Sequence, residues 1–413
     1  VGLYPPETIE ALNAAHAVAA AALQTLAEQD TRDAFAFRAR AAWLRFKQSQ
    51  DSPARFDRAR GRRAFSPRAM GRESESFDSI WTYSYARPFV LYVEKPLGKD
   101  AISPEFSKAL ESRAALLASV FTYFDAEFIR VFGLRRVKPQ HNARQAEEEG
   151  WPIEVVVLRD KAAFDQYISD VIEAPDIRLS HYAVLESRVV TYHQLPESDP
   201  VEAGANQSRL AREAFSLLLD YYAAEPQFDE ATMQTRPRYS SLLIKDGLPG
   251  ALSGVRSQGE GYSLHAQQEV AAAFKSTYEA LGNTQLLRLR DLIECRHGGQ
   301  VLSRAFERAR DSRIKINHQW LQDAALPLYR VAATSAVYFF EQFERDGKHP
   351  HREKWRAFLK AELKGEHLVK SWDDDAGIKA FKKAFGIEAD TDWDALEAEF
   401  LEFTLKLAPA PKD

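Results

Sequence analysis

A single cysteine, Cys295, in a chain of 413 residues excludes an intrachain disulfide and any zinc cage built on cysteine, since both need more than one thiol. Long apolar runs are missing too. The longest near the N-terminus, Ala17 to Leu23, falls far short of the roughly 20 residues that span a bilayer. No basic region precedes it, so neither a transmembrane segment nor a retained signal peptide is expected. The opening Val1 in place of methionine leaves room for an export signal already removed. An excess of one charge is also lacking: 55 Lys and Arg against 60 Asp and Glu give a net charge of -5. Nothing therefore draws the whole molecule to nucleic acid or to an acidic membrane, and any such binding has to be local. No Gly-x-Ser-x-Gly elbow, no phosphate-binding glycine loop and no internal repeat is present.

What is present belongs to a folded globular protein, with 45% hydrophobic and 28% charged residues. Single cores stop growing at roughly 250 to 300 residues, so two or three domains, or one large domain with helical additions, are expected. Helical spacing of Ile9, Leu12, Leu23 and Leu26, a break near Asp30, and a second run through Phe35, Trp43 and Phe46 predict an N-terminal helical hairpin over residues 1–52. Residues 53–78, with Arg55, Arg58, Arg60, Arg62 and Arg63, read as a linker or exposed arm that can meet an anionic surface or an acidic protein. Aromatic side chains for base stacking are few there, which argues against nucleic acid.

From Ser79 the composition turns to strand. "SIWTYSYARPFVLYVEK" predicts a strand pair or one bent strand broken at Pro88, "IEVVVL" a short buried strand, and "AVLESRVVTYHQL" another. Residues 103–133 have helical spacing. After residue 240 the chain reads as helix over 240–250, 267–295, 300–311, 318–346, 351–364, 374–385 and 392–406, with Gly386 as a C-cap and Thr391 with Asp394 at capping-box spacing. "SGVRSQGEGYS" reads as a mobile loop.

The segment "RLAREAFSLLLDYY", residues 209–222, is apolar on most faces but carries Arg209, Arg212, Glu213, Ser216 and Asp220 at three- and four-residue spacing, one strip of a helix. Downstream stands "SSLLIKDGLPGALSG". With "FTYFDAEFIRVFG" before the strip and "KKAFG" and "DTDWDALEAEF" near the end, the order over residues 79–407 resembles the peptidase-MA-like (gluzincin) family of zincin metallopeptidases. That resemblance implies an α+β fold: a zincin-like mixed sheet with an active-site-type helix over 79–265, and a C-terminal helical subdomain over 266–413. It also implies a bacterial protein, with a lean toward an extracytoplasmic place.

The departures from the family decide the expected chemistry. Where the family has His-Glu-x-x-His, this chain has Arg212, Glu213, Ala214, Phe215 and Ser216, so only the glutamate of the general base remains. Where the third ligand is Glu, Asp246 precedes Gly247 and Leu248, and Pro249 follows. Catalytic zinc takes three protein ligands and a water, and a shortened carboxylate beside a permanent guanidinium does not supply them. Arg212, Glu213, Ser216 and Asp246 are therefore expected to be vestigial, with no metal and no cofactor bound. Buried carboxylates still need a cation, and the forked guanidinium of Arg212 suits one. The expectation is that Arg212 bonds Asp246 in place of zinc, while Arg209 and Glu213 form an i, i+4 pair.

A catalytically inactive metallopeptidase-like protein follows, a pseudopeptidase acting as a binding or structural component for a protein or peptide partner. One alternative is an active hydrolase with an atypical metal site around Glu213 and Asp246. Another is a structural component docked through the hairpin and arginine arm. Among other candidates, His349 and His351 have a spacing that can chelate metal but suit a surface loop, and His181, His193 and His265 show no paired spacing. Cys295, next to Arg296 and His297, fits packing better than reactivity.

Overall fold

The computed structural model describes residues 81–86, 88–95, 102–134, 153–168, 180–183, 188–192, 199–223, 228–229, 234–235, 241–258, 261–314, 317–366 and 375–408. The expected N-terminal hairpin and the arginine-rich stretch lie outside them, as does His193. Among the described residues the protein is α+β, mostly helical with a small mixed sheet. Contacts divide the chain into two units, residues 1–118 with 147–210 and residues 119–146 with 211–413.

The first unit holds a five-stranded sheet. Strand β1 (Trp81–Ala86) and β2 (Phe89–Glu94) form an antiparallel pair with Ala86 opposite Phe89, so the break expected at Pro88 is the turn between them. Helix α1 (Pro104–Phe124) leads to β3 (Ile153–Leu158), which lies parallel to β2. Val155, Val156 and Val157 of β3 are all fully buried, as a continuous apolar run covered on both faces requires. Helix α2 (Lys161–Tyr167), which periodicity did not reveal, is capped by Asp160, whose carboxylate accepts the Ala163 N–H at 2.8 Å. The segment expected as one strand over 183–195 is part of a pair: β4 (Ser180–Ala183) runs antiparallel to β5 (Arg188–Tyr192), and the sheet order is β1-β2-β3-β5-β4. Buried Glu94, at the end of β2, accepts from the Arg159 backbone at 3.2 Å and its guanidinium at 2.9 Å, tying the ends of β2 and β3 together.

Helix α3 (Pro200–Tyr222) carries the polar strip and runs across the boundary of the two units. In the second unit a π-helical turn, Asp125–Arg130, continues α1, and a short strand pair, β6 (Phe228–Asp229) with β7 (Gln234–Thr235), follows α3. A second π-helical turn, Leu243–Gly247, runs into α4 (Leu248–Leu252). The stretch 253–263, expected as a loop, instead contributes two paired strands, β8 (Val255–Gln258) and β9 (Gly261–Leu264), which run antiparallel. The single helix expected over 267–295 is two, α5 (Gln268–Ala280) and α6 (Leu289–Glu294). Gly282 and Asn283 take φ of 66° and 61°, a left-handed stop that glycine and asparagine tolerate best.

Helices α7 (Gly298–Asp311), α8 (His318–Gln342), α9 (Arg352–Leu363), α10 (Ala376–Phe385) and α11 (Asp390–Leu407) complete the second unit, close to the predicted ranges. Gly386 is the left-handed C-cap expected, at φ 70°. The N-terminus of α11 differs: Asp392, not Thr391, accepts the N–H groups of Glu388 and Ala389, each at 2.8 Å. Helix α8 is the centre, with Ala332 through Phe340 buried. It packs on the π turn and α4, where glycine is obligatory: a Cβ on Gly247 would stand 2.9 Å from the Ala333 carbonyl, and one on Gly250 would run into the Thr334 hydroxyl.

Candidate functional site

The strip on α3 is built from an otherwise apolar helix. Leu210, Ala214, Phe215, Leu217 and Leu218 are fully buried, and Phe215 meets the Tyr123 ring edge-on at a centroid distance of 6.3 Å. Phe124, Phe128 and Phe132, spaced along the π turn, stack or meet edge-on in sequence, and Phe124 also contacts Tyr222. This aromatic series is why "FTYFDAEFIRVFG" precedes the helix: it covers the faces that the strip does not use.

Within the strip, Glu213 is 4% exposed. A cation beside it is Arg212, whose Nη2 lies 3.4 Å from Oε1 while the side chain stays 39% exposed. Ser216 donates its hydroxyl to the Arg212 carbonyl at 3.0 Å, which spends it on its own helix. Asp220 is half-buried. Arg209, expected to pair with Glu213, instead sets its guanidinium carbon 5.8 Å from the centre of the Tyr192 ring, a cation–π contact.

Asp246 sits in the π-helical turn Leu243–Gly247, a wider winding that occurs mostly as single turns and often at functional sites. Its cation is not Arg212. Arg330 of α8 takes that place, with Nε 3.7 Å from Asp246 Oδ2. The contact counts as an ion pair by distance but not as a hydrogen bond, and Arg330 Nε is buried without an acceptor. A buried N–H that misses its acceptor by several tenths of an ångström gains charge attraction and little else. The expected Arg212–Asp246 bond is thus corrected to two separate couples, Arg212 with Glu213 and Arg330 with Asp246. The reason is packing: the glycines of "DGLPG" bring this turn against α8, so α8 supplies the neighbour.

These residues do not fit a zinc ion. The donor set they offer is two carboxylates, each with a guanidinium at 3.4 or 3.7 Å, and a hydroxyl bonded to its own helix. Among the described residues no group of three or more His, Cys, Asp and Glu side chains converges on a point.

Arg330 was missed in the sequence, although a signal existed: it is the only charge between Asp323 and Glu341 in an apolar helix. A larger charged cluster was missed as well. Arg356 of α9 reaches Glu127 of the first π turn at 2.8 Å and Glu341 of α8 at 3.1 Å, and Arg352 adds a contact to Glu341 at 3.3 Å. Burial, reinforced by Glu341 and Glu127, pushes the Tyr123 hydroxyl well above its ordinary range, so it stays protonated. Every charge in this cluster has an opposite partner, which marks a structural tie between the first π turn, α8 and α9.

The remaining candidates are packing or anchoring groups. His351 is buried against Phe339, Phe343 and Phe385 and bonds Glu399 Oε2 through Nε2 at 2.7 Å, while His349 Nδ1 lies 3.1 Å from the Phe343 carbonyl. The two rings are therefore committed to different neighbours. His265 bonds the Ser263 hydroxyl at 2.7 Å. Burial, with Asp291 nearby, pushes the Cys295 thiol up to about 12, so it is protonated and unreactive. No helix among the described residues is long and apolar enough to cross a membrane. No known family model matches the chain, and no curated protein matches it.

Proposed function

We propose that the protein is a catalytically silent, metallopeptidase-like binding or structural component, with a zincin-like order of strands and helices along the chain that has exchanged metal chemistry for ion pairing. The observation that carries this reading is the separate neutralisation of Glu213 by Arg212 and of Asp246 by Arg330. A metal-activated water needs cation-free ligands facing it, and both carboxylates already have a permanent cation. The chain order supports the family likeness: a sheet with an antiparallel edge strand, then a helix with a buried glutamate, then a π turn with an aspartate. An edge strand is an element on which an extended peptide can pair, so the partner we favour is a protein or peptide segment.

The test is turnover. The purified protein, supplied with zinc, is incubated with a mixed pool of unstructured peptides and the products are read by mass spectrometry. The proposal expects no cleavage above background. Cleavage that disappears in Glu213→Gln would instead establish the alternative, a working hydrolase with an atypical metal site around Glu213 and Asp246.

A further inference from the structure

Glu397 of α11 is a carboxyl placed where a carboxylate is poorly served. Its Oε2 accepts the Leu289 N–H, at the first turn of α6, at 2.6 Å. Its Oε1 is buried with no hydrogen-bond partner, and the same is true of Gln285 Nε2. The two groups are neighbours: the Gln285 carboxamide is close enough to favour the ionised acid, yet not aligned as a hydrogen bond. Among the described residues no cation stands within ion-pair distance of Glu397. Arg288, the residue that caps the N-terminus of α6, pairs with Asp394 at 3.8 Å, and buried Asp291 of α6 adds like charge. From α5 and α8, the other helices packed on α11, no charged side chain pairs with it. An unpaired buried carboxylate is expensive, and the neutral acid removes that cost.

The neutral acid also gives the orphaned Glu397 oxygen a partner. Oxygen and nitrogen of a glutamine amide are interchangeable in shape. With the Gln285 amide turned over, its oxygen accepts the Glu397 O–H. Gln285 belongs to residues 284–287, which form one wall of a small apolar groove whose other sides include Phe274, Tyr278, Leu281 and Leu328.

We propose that Glu397 is a proton-operated latch: as the acid it donates to the Gln285 amide oxygen while accepting the Leu289 N–H, and loss of its proton to solvent frees the 284–287 wall of the groove. Burial raises the carboxyl from 4.5 to about 7, so the latch responds near neutrality. The sign follows from proton counting. Between those values the folded chain holds a proton that the unfolded chain has released, so stability falls as pH rises through the window and the loss is complete above it. The size is up to roughly 300-fold in the folding equilibrium for this one group.

Hydrogen exchange of residues 284–289 and the denaturation midpoint, each followed from acid to alkaline pH in the full chain and in Glu397→Gln, test it. The proposal expects exchange in this segment, corrected for the intrinsic chemistry, to quicken in the native protein as pH passes neutrality. It expects Glu397→Gln to lack that quickening and to be the more stable protein at alkaline pH. Identical pH profiles for the two would overturn it. Should the variant fail to fold, carbon NMR of the glutamate carboxyls in the native protein decides: one titrating near neutrality supports the latch, and all titrating in the ordinary carboxylate range overturns it.

Discussion

Glu213 keeps a carboxylate in an interior that exposes 4% of it, and that choice sets what its neighbours must do. Removing one partner of a buried polar pair leaves the other with its desolvation cost, about 1–3 kcal/mol. Arg212→Ala should therefore lower unfolding stability by an amount of that order, and adding Glu213→Gln should recover much of it, a coupling read directly from a double-mutant cycle in urea. Additive effects would mean that the 3.4 Å contact carries no energy. Arg330→Met should cost less, within about 1 kcal/mol, since a pair whose arginine side chain is 43% exposed behaves like a surface ion pair. At this scale the sequence revealed which side chains share a strip, because helical spacing alone determines that. It did not reveal partners. Arg212 and Arg330 are equally good cations in composition, and only the packing of the π turn on α8 decides between them for Asp246.

Elements were legible where one periodicity governs them. β3, α9 and α10 fall within a residue or two of the ranges read from apolar spacing. Misreadings occur where a local signal competes with the period. Gly282 and Asn283 interrupt an apolar rhythm that otherwise runs through residue 295, and the hairpin of β8 and β9 hides in a stretch whose glycines suggest a loop. Glycines within elements separate into two kinds with opposite predicted outcomes. Gly247→Ala must push a methyl toward the Ala333 backbone at 2.9 Å, which cannot yield, so a loss of about 1–3 kcal/mol is expected. Gly204, in α3, has nothing within 4 Å of an added Cβ. There Gly204→Ala should stabilise by about 0.4–1 kcal/mol, through the entropy of the unfolded chain. Thermal denaturation of the two variants checks both signs at once.

For the molecule as a whole, two groups that contact or belong to α11 give stability opposite slopes with pH. Burial holds His351 below its ordinary 6.5, so the folded chain binds fewer protons there and stability drops as pH falls below that value. Glu397, held above its ordinary 4.5, weakens the fold as pH rises instead. Replacing His351 with Gln, which keeps a donor for Glu399, should flatten the acid limb of the pH profile. The α+β class was readable from composition and order. The proposed zincin-like likeness rests on order alone, because the chain carries Arg212, Ser216 and Asp246 where that family has its metal ligands. Rebuilding them tests the likeness. Arg212→His, Ser216→His, Asp246→Glu and Arg330→Met together should confer zinc binding on an otherwise unchanged fold, and a rebuilt protein that binds no zinc would count against it.

The central claim is that guanidinium groups hold the seats a dication would need. Equilibrium dialysis of the native protein against zinc, followed by elemental analysis, measures it most directly. The account predicts well under one zinc per chain, unchanged in Asp246→Asn. One tightly held zinc per chain that Asp246→Asn or Glu213→Gln releases would contradict it.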